Sequence, residues 1–315
     1  MTKSNFNNLV NLLSLDSEKI SRLLDISFEV KKEYKTNGPN DLLKGFTSVL
    51  FFFFFCLRTR VTFEVAMAHV GGSTINLEPG SVSLGKRETV NDAVKNLSRW
   101  VNVIIARTFK HSLVEELARN ASVPVINALT DLFHPCQALA FAQTLQERCG
   151  DIRGSHVVFV GDGNNVANSL AILSGMMGLD FTLSCPSGYE IPQFVREQIQ
   201  PIFQQNGCRF AIEHDPQKAV ASANIIYTDV WVSMGEEAEK EKKVQHFLNF
   251  QVNDTLLSAA PAGCLVSHCL PAHRGEEITD SVLDSDISIC FDEAENRLHV
   301  QKAILLALLS PKYAL

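Results

Sequence analysis

Several things are missing from this chain, and each absence removes a class of function. None of its eight cysteines (56, 136, 149, 185, 208, 264, 269 and 290) falls in a C-x-x-C pair. The spacing therefore suggests neither a zinc motif nor a dithiol redox motif. Positive charge is not in excess: 28 Lys and Arg stand against 35 Asp and Glu, a net charge of -7. With no basic cluster to offset this, a nucleic-acid partner is not expected. The strongly apolar run from Phe46 to Leu57 covers 12 residues, short of the roughly 20 that a membrane-spanning helix needs. The stretch MTKSNFNNLVNLLSLD has neither a signal-peptide apolar core nor an arginine-rich presequence. Scattered cysteines and these flanks together predict a cytoplasmic, reducing setting.

What is present is ordinary globular composition. The 315 residues are 46% hydrophobic and 20% charged, enough for two cores of roughly 150 residues each. Short apolar runs alternate with segments of helical spacing. Strands are predicted at Ser48–Phe55, Thr74–Leu77, Val101–Ile105, Val123–Asn127, His156–Val160, Asp180–Ser184, Ile225–Thr228, Leu265–His268 and Ile287–Cys290. Helices are predicted at 17–34, 59–70, 89–100, 111–120, 134–148, 166–177, 192–206, where Pro201 can break the helix, and 296–309. The pattern is α/β: two doubly wound parallel-sheet domains, 1–148 and 149–295, parted by the polar break Arg148–Gly154. A C-terminal helix, 296–315, returns to the first domain. Ligands are expected beyond the carboxyl ends of the strands, between the domains.

Polar residues gather where those strands end. Arg58, Thr59 and Arg60 open a helix, and a helix N-terminus with arginines either suits a phosphate or caps a solvated helix. Arg107 follows a strand in IIARTFKH. His134 and Gln137, in DLFHPCQALA, lie three apart on one helical face and both can donate to a carbonyl oxygen. His134 alone reads more readily as a structural histidine. GDGNN at 161–165 half-matches a dinucleotide fingerprint, but the third glycine is absent and FTLSCP ends without the acidic ribose ligand. No nicotinamide cofactor is expected. The glycines instead give a tight turn that presents Asn165. Asp229, in DVWVSMG, is placed to hold a substrate amine or to cap a helix starting near Glu236. His268 and Cys269 are adjacent on an extended segment and point to opposite sides. Cys269 is thus a better polar contact than a covalent nucleophile.

The segments LRTRVTFEVAMAHVGG, VPVINALTDLFHPCQALA, VGDGNN, DVWVSMGEEAEK, HCLPAHRGEEITD and FDEAENRLHVQKA together resemble the aspartate/ornithine transcarbamoylase family across almost the whole chain. DVWVSMG and HCLP point to its ornithine branch. The resemblance implies transfer of a carbamoyl group from carbamoyl phosphate to the δ-amine of L-ornithine, giving L-citrulline and phosphate. It also implies a homotrimer and no metal or organic cofactor. By position, Cys56, Leu57, Arg58, Thr59, Ser83, Pro135 and Cys136 would bind carbamoyl phosphate. Arg107 would bridge its phosphate and carbonyl oxygen, His134, Gln137 and Arg297 would hold its carbamoyl group, Cys269 and Leu270 would border it beside ornithine's δ-amine, and Asn165, Asp229, Ser233 and Met234 would hold ornithine; Arg107, His134, Gln137, Cys269 and Arg297 would be the catalytic set.

Three departures from the family pattern lie in the phosphate half. Where relatives read F-E-K-P-S-T-R-T-R, this chain reads Phe52 to Arg60 as FFFFCLRTR. Ser83 replaces a glutamine, and Phe141 an aspartate. Cysteine is a weaker donor than serine, so weakened carbamoyl-phosphate binding is expected. A catalytically silent relative and a transcarbamoylase for another amine remain the alternatives.

Overall fold

The computed structural model describes residues 6–54, 57–77, 89–232 and 240–315. By internal contacts the chain forms two compact units: Met1–Gln143 with Glu295–Leu315, and Thr144–Ala294.

The first unit runs α1 (Ser17–Asn37), β1 (Thr47–Phe52), α2 (Leu57–His69), β2 (Ser73–Leu77), α3 (Val90–Trp100), β3 (Val103–Arg107), α4 (His111–Asn120), β4 (Val125–Leu129) and α5 (Pro135–Cys149), whose last turns pass into the second unit. Its sheet is parallel, in the order β2-β1-β3-β4. β3 and β4 are buried along their whole length, as expected of apolar runs covered on both faces. The edge of β4 is closed by Leu9, whose N–H donates to the Val125 carbonyl at 2.9 Å and whose carbonyl accepts from Asn127 at 2.7 Å. Capping follows the sequence: the Asp16 carboxylate accepts from the Lys19 N–H and the Thr89 hydroxyl from the Asp92 N–H, each satisfying a free helix-end donor.

The second unit runs β5 (His156–Val160), α6 (Asn165–Met177), β6 (Asp180–Ser184), α7 (Gln193–Asn206), β7 (Phe210–Glu213), α8 (Pro216–Val220), β8 (Ile225–Thr228), α9 (Lys240–Phe247), α10 (Asp254–Leu257), β9 (Leu265–His268) and α11 (Asp280–Leu283). Its parallel sheet has the order β7-β6-β5-β8-β9. A core of Val158, Val160, Ile226, Trp231, Phe247 and Val266 lies against one face. At ~25 cal/mol per Å², each such side chain contributes about 1.5–3 kcal/mol. α12 (Cys290–Leu309) begins in this unit and returns the chain to the first.

Several expectations need correction. β1 stops at Phe52 rather than Phe55. Ile287–Cys290 is not a strand: Ser288 makes one isolated bridge to Val266 and Cys290 already opens α12. Pro201 does not break α7. It is exposed, so the carbonyl it cannot serve is able to turn to water. The strand Phe210–Glu213 was not expected, since FAIE is too short and too polar to stand out. Among the described residues no helix is long and apolar enough to cross a membrane.

Candidate active site

In the first unit the predicted residues come from four separate elements. Leu57, Arg58 and Thr59 open α2; Arg107 ends β3; His134 precedes α5 and Pro135, Cys136 and Gln137 form its first turn; Arg297 lies on α12. Pro135 suits that first turn, where no N–H is needed. The register of β3 against β4 shifts between Ala106 and Arg107, a local irregularity of the kind that re-aims a side chain.

Three of these residues meet directly. Arg107 Nη1 donates to Thr59 Oγ1 at 3.0 Å and Arg297 Nη2 donates to the same oxygen at 2.6 Å. All three are buried. Two like charges on one buried hydroxyl repel, and a bound anion relieves that repulsion. His134 is buried beside them, and its imidazole is held well below its usual range, first by burial and then by Arg297 and Arg107. It is therefore a neutral donor. The Gln137 N–H bonds to the His134 carbonyl at 3.1 Å. The turn carrying His134 is braced by Thr130, whose hydroxyl accepts from the N–H groups of Leu132 and Phe133. Burial pushes the Cys136 thiol up to about 12, which leaves it a protonated packing group.

The phenylalanine run is split between two roles. Phe51 and Phe52 are buried in β1, Phe53 is exposed, and Phe54 is half-buried. The Phe54 ring lies over the Arg107 guanidinium, 5.0 Å from centroid to Cζ, and packs on Phe109 at 4.6 Å. This cation–π contact was not foreseen from the sequence. Leu57 points out, 60% exposed, and Phe141 is wholly inside the core. Cys56 and Ser83 lie outside the described residues.

In the second unit the cluster is anionic. Asp229 follows β8 and is buried. Its Oδ1 accepts from the Cys269 thiol at 2.7 Å and its Oδ2 from Asn164 Nδ2 at 2.8 Å. Asn164 also caps α6, its Oδ1 accepting from the N–H groups of Val166 and Ala167. Asn164 thus ties the glycine turn to Asp229, while Asn165 forms the first residue of α6. Sequence reading singled out Asn165 and missed Asn164, although both stand in the same GDGNN run. Ser233 and Met234, and the helix start near Glu236, lie outside the described residues.

Cys269 and Leu270 follow β9. The Cys269 sulfur is 3.9 Å from His268 Nδ1, too weak a contact to activate it. His268 Nδ1 instead accepts the Leu270 N–H at 2.8 Å, and Nε2 donates to the buried Glu277 carboxylate at 3.0 Å. That bonding holds Leu270 at φ 54°, a left-handed conformation uncommon for a branched side chain. Ligand-type atoms of Asp229, His268 and Cys269 lie within 4.8 Å of one another, but both nitrogens of His268 are already engaged in bracing the loop.

Each unit thus carries a parallel sheet with a polar cluster beyond it, centred on two arginines in the first and on one carboxylate in the second, and the matches of both units to known proteins set the class as a carbamoyltransferase. The aspartate/ornithine carbamoyltransferase profile for the carbamoyl-P binding domain matches residues 7–147, and the one for the Asp/Orn binding domain matches residues 153–308. The chain belongs to the aspartate/ornithine carbamoyltransferase family. It is 48% identical to an ornithine carbamoyltransferase of Pyrococcus abyssi over 301 residues, 96% of this chain and 95% of that one. It is 44% identical to the Methanosarcina mazei ornithine carbamoyltransferase over 301 residues, 96% and 98% of the two chains. The solved ornithine carbamoyltransferase of Pyrococcus furiosus superposes with a TM-score of 0.95, at 45% identity and 99% coverage of both chains.

Proposed function

We propose that the arginine cluster of the first unit binds carbamoyl phosphate and that the Asp229 cluster of the second binds L-ornithine. The chain is an ornithine carbamoyltransferase, the activity carried in the names of its relatives. The observation that carries the division of roles is the convergence of Arg107 and Arg297 on Thr59 beside a neutral His134.

In this reading the phosphate lies at the start of α2, on Arg58, Thr59 and the helix N–H groups. Leu57, Cys56 and Ser83 border it. The carbonyl oxygen takes donors from Arg107, His134, Gln137 and Arg297, with Pro135 and Cys136 shaping that turn. The deprotonated δ-amine of ornithine attacks the carbonyl carbon, and the electron pair moves onto the carbonyl oxygen. Fixed donors stabilise that oxyanion, worth about 2.7–4 kcal/mol for one donor. The pair then returns, the C–O bond to phosphate breaks, and phosphate leaves with the bonding electrons. The amine proton ends on the released phosphate. Because His134 stays neutral, it adds a donor without adding charge. Asp229 faces the α-amine of ornithine, with Asn165, Ser233 and Met234 at its amino-acid end. Cys269 and Leu270 lie beside the δ-amine. No step uses a protein nucleophile.

We further propose a homotrimer in the cytoplasm. Leu57, Val61 and Ile75 are exposed apolar residues on α2 and the adjoining β2, a surface suited to a second copy. Light scattering should return three times the chain mass; a monomer mass would refute this. The activity is tested by incubating the full chain with carbamoyl phosphate and L-ornithine, putrescine or N-acetylornithine. Citrulline from ornithine alone is expected. No product at saturating substrate would overturn the reading.

A further inference from the structure

Away from Asp229, the second unit carries another cluster of metal-ligand type. Cys185 follows β6 directly and His214 follows β7 directly, and these two strands are neighbours at one edge of the sheet. Glu190 reaches the same point from the loop after Cys185. One ligand-type atom from each lies within 4.8 Å of the other two.

The second layer of this cluster is already in place. His214 Nδ1 donates to the Cys185 carbonyl at 2.8 Å. That bond fixes the tautomer and leaves the Nε2 lone pair facing Glu190, whose Oε1 is 3.8 Å away. An imidazole oriented by a backbone carbonyl is the usual geometry of a metal-bound histidine. Both oxygens of Glu190 accept the Gly188 N–H at 3.1 Å, and this bond, more than any other group, holds the carboxyl below its usual range. The loop is also seated firmly. The Gly163 N–H bonds to the Tyr189 carbonyl at 2.8 Å, and a Cβ at Gly163 would lie 2.4 Å from the Ile191 nitrogen. Backbone this close fixes where Glu190 starts.

We propose that Cys185 Sγ, the Glu190 carboxylate and His214 Nε2 form a binding site for a borderline-soft divalent cation of the zinc class, with a fourth position open to water. Thiolate, imidazole and carboxylate are the ligands such an ion takes. A tetrahedral ion with bonds of about 2.0–2.3 Å sets its ligand atoms roughly 3.3–3.8 Å apart. Closing the cluster therefore takes about an ångström of side-chain movement. Burial, with Glu190 and Asp162 adding to it, pushes the Cys185 thiol up to about 12, while Arg196 draws it down. A bound cation displaces that proton.

Cobalt(II) titration of the full-length protein tests this, read by thiolate-to-cobalt charge-transfer absorption. Because Cys269 is a second thiol near carboxylate and imidazole, Cys269→Ser is run beside Cys185→Ser and His214→Gln. The band is expected in the wild type and in Cys269→Ser, and absent in Cys185→Ser. His214→Gln, a half-exposed position, is expected to weaken cobalt binding roughly tenfold or more. No band in the wild type, loss of the band in Cys269→Ser, persistence in Cys185→Ser, or unchanged affinity in His214→Gln would each overturn the assignment.

Discussion

The two polar clusters are both set just beyond parallel strands, but they hold themselves together by opposite means. In the first unit, Arg107 and Arg297 converge on the Thr59 hydroxyl, so two guanidinium groups meet at one oxygen. In the second, Asp229 binds a thiol with one oxygen and an amide with the other, so a carboxylate is steadied by neutral donors. A cluster of like charges is costly by itself and is relieved by an anionic ligand. A carboxylate satisfied by neutral donors is stable alone and suits a cationic ligand. Burial lowers the imidazoles of His69, His111, His134 and His299 in the first, and of His156 in the second.

The sharpest way to break this comparison is to remove one guanidinium. Arg107→Leu should lower citrulline formation, as kcat/KM for carbamoyl phosphate, by roughly 10³-fold, with the melting temperature close to wild type. A loss under tenfold would show that the arginine pair is not the anion site. Next in size is Asp229→Asn, which should raise the KM for ornithine by about 10–100-fold and leave that for carbamoyl phosphate within a few-fold. An equal rise in both would deny the division of labour. Cys56→Ser should restore the better donor and lower the KM for carbamoyl phosphate by up to about tenfold; an unchanged KM at low substrate would remove Cys56 from the account.

Smaller effects follow at the edges of the first cluster. Phe54→Leu takes the ring off the Arg107 guanidinium and should raise the carbamoyl-phosphate KM about two- to five-fold, from ~0.5–1 kcal/mol of cation–π energy. Phe53→Leu is the control and should change nothing. Burial pushes the His299 imidazole down from 6.5 to about 3. Between those values the unfolded chain binds a proton that the folded chain refuses, so stability falls as pH drops below about 6.5. His299→Gln should flatten the decline of melting temperature between pH 7 and pH 4; an unaltered slope would show that this imidazole is not protonated on unfolding.

Much of the fold was legible because strands buried on both faces are short and continuously apolar. His156–Val160, Asp180–Ser184, Ile225–Thr228 and Leu265–His268 occupy the positions that reading gives them. The same rule misled after Phe52, where hydrophobicity continues at Phe53 and Phe54 beyond the end of β1. At Ile287–Cys290 it took the approach to a helix for a strand. Of the clusters, the residue types were readable, but the pairings were not. Arg297 reaches Thr59 across 238 positions and Cys269 reaches Asp229 across 40, distances over which no local spacing speaks. The cation–π contact of Phe54 was hidden for another reason: a phenylalanine beside an apolar strand reads as more core.

Arg297 stands on a segment that is translated after the whole of the second unit, although it completes the first. A ribosome therefore releases Thr59 and Arg107 long before their partner exists. The unit begun earliest is finished last, and a nascent chain halted near residue 294 would carry every strand of its first sheet without the second cation that the hydroxyl of Thr59 is placed to receive.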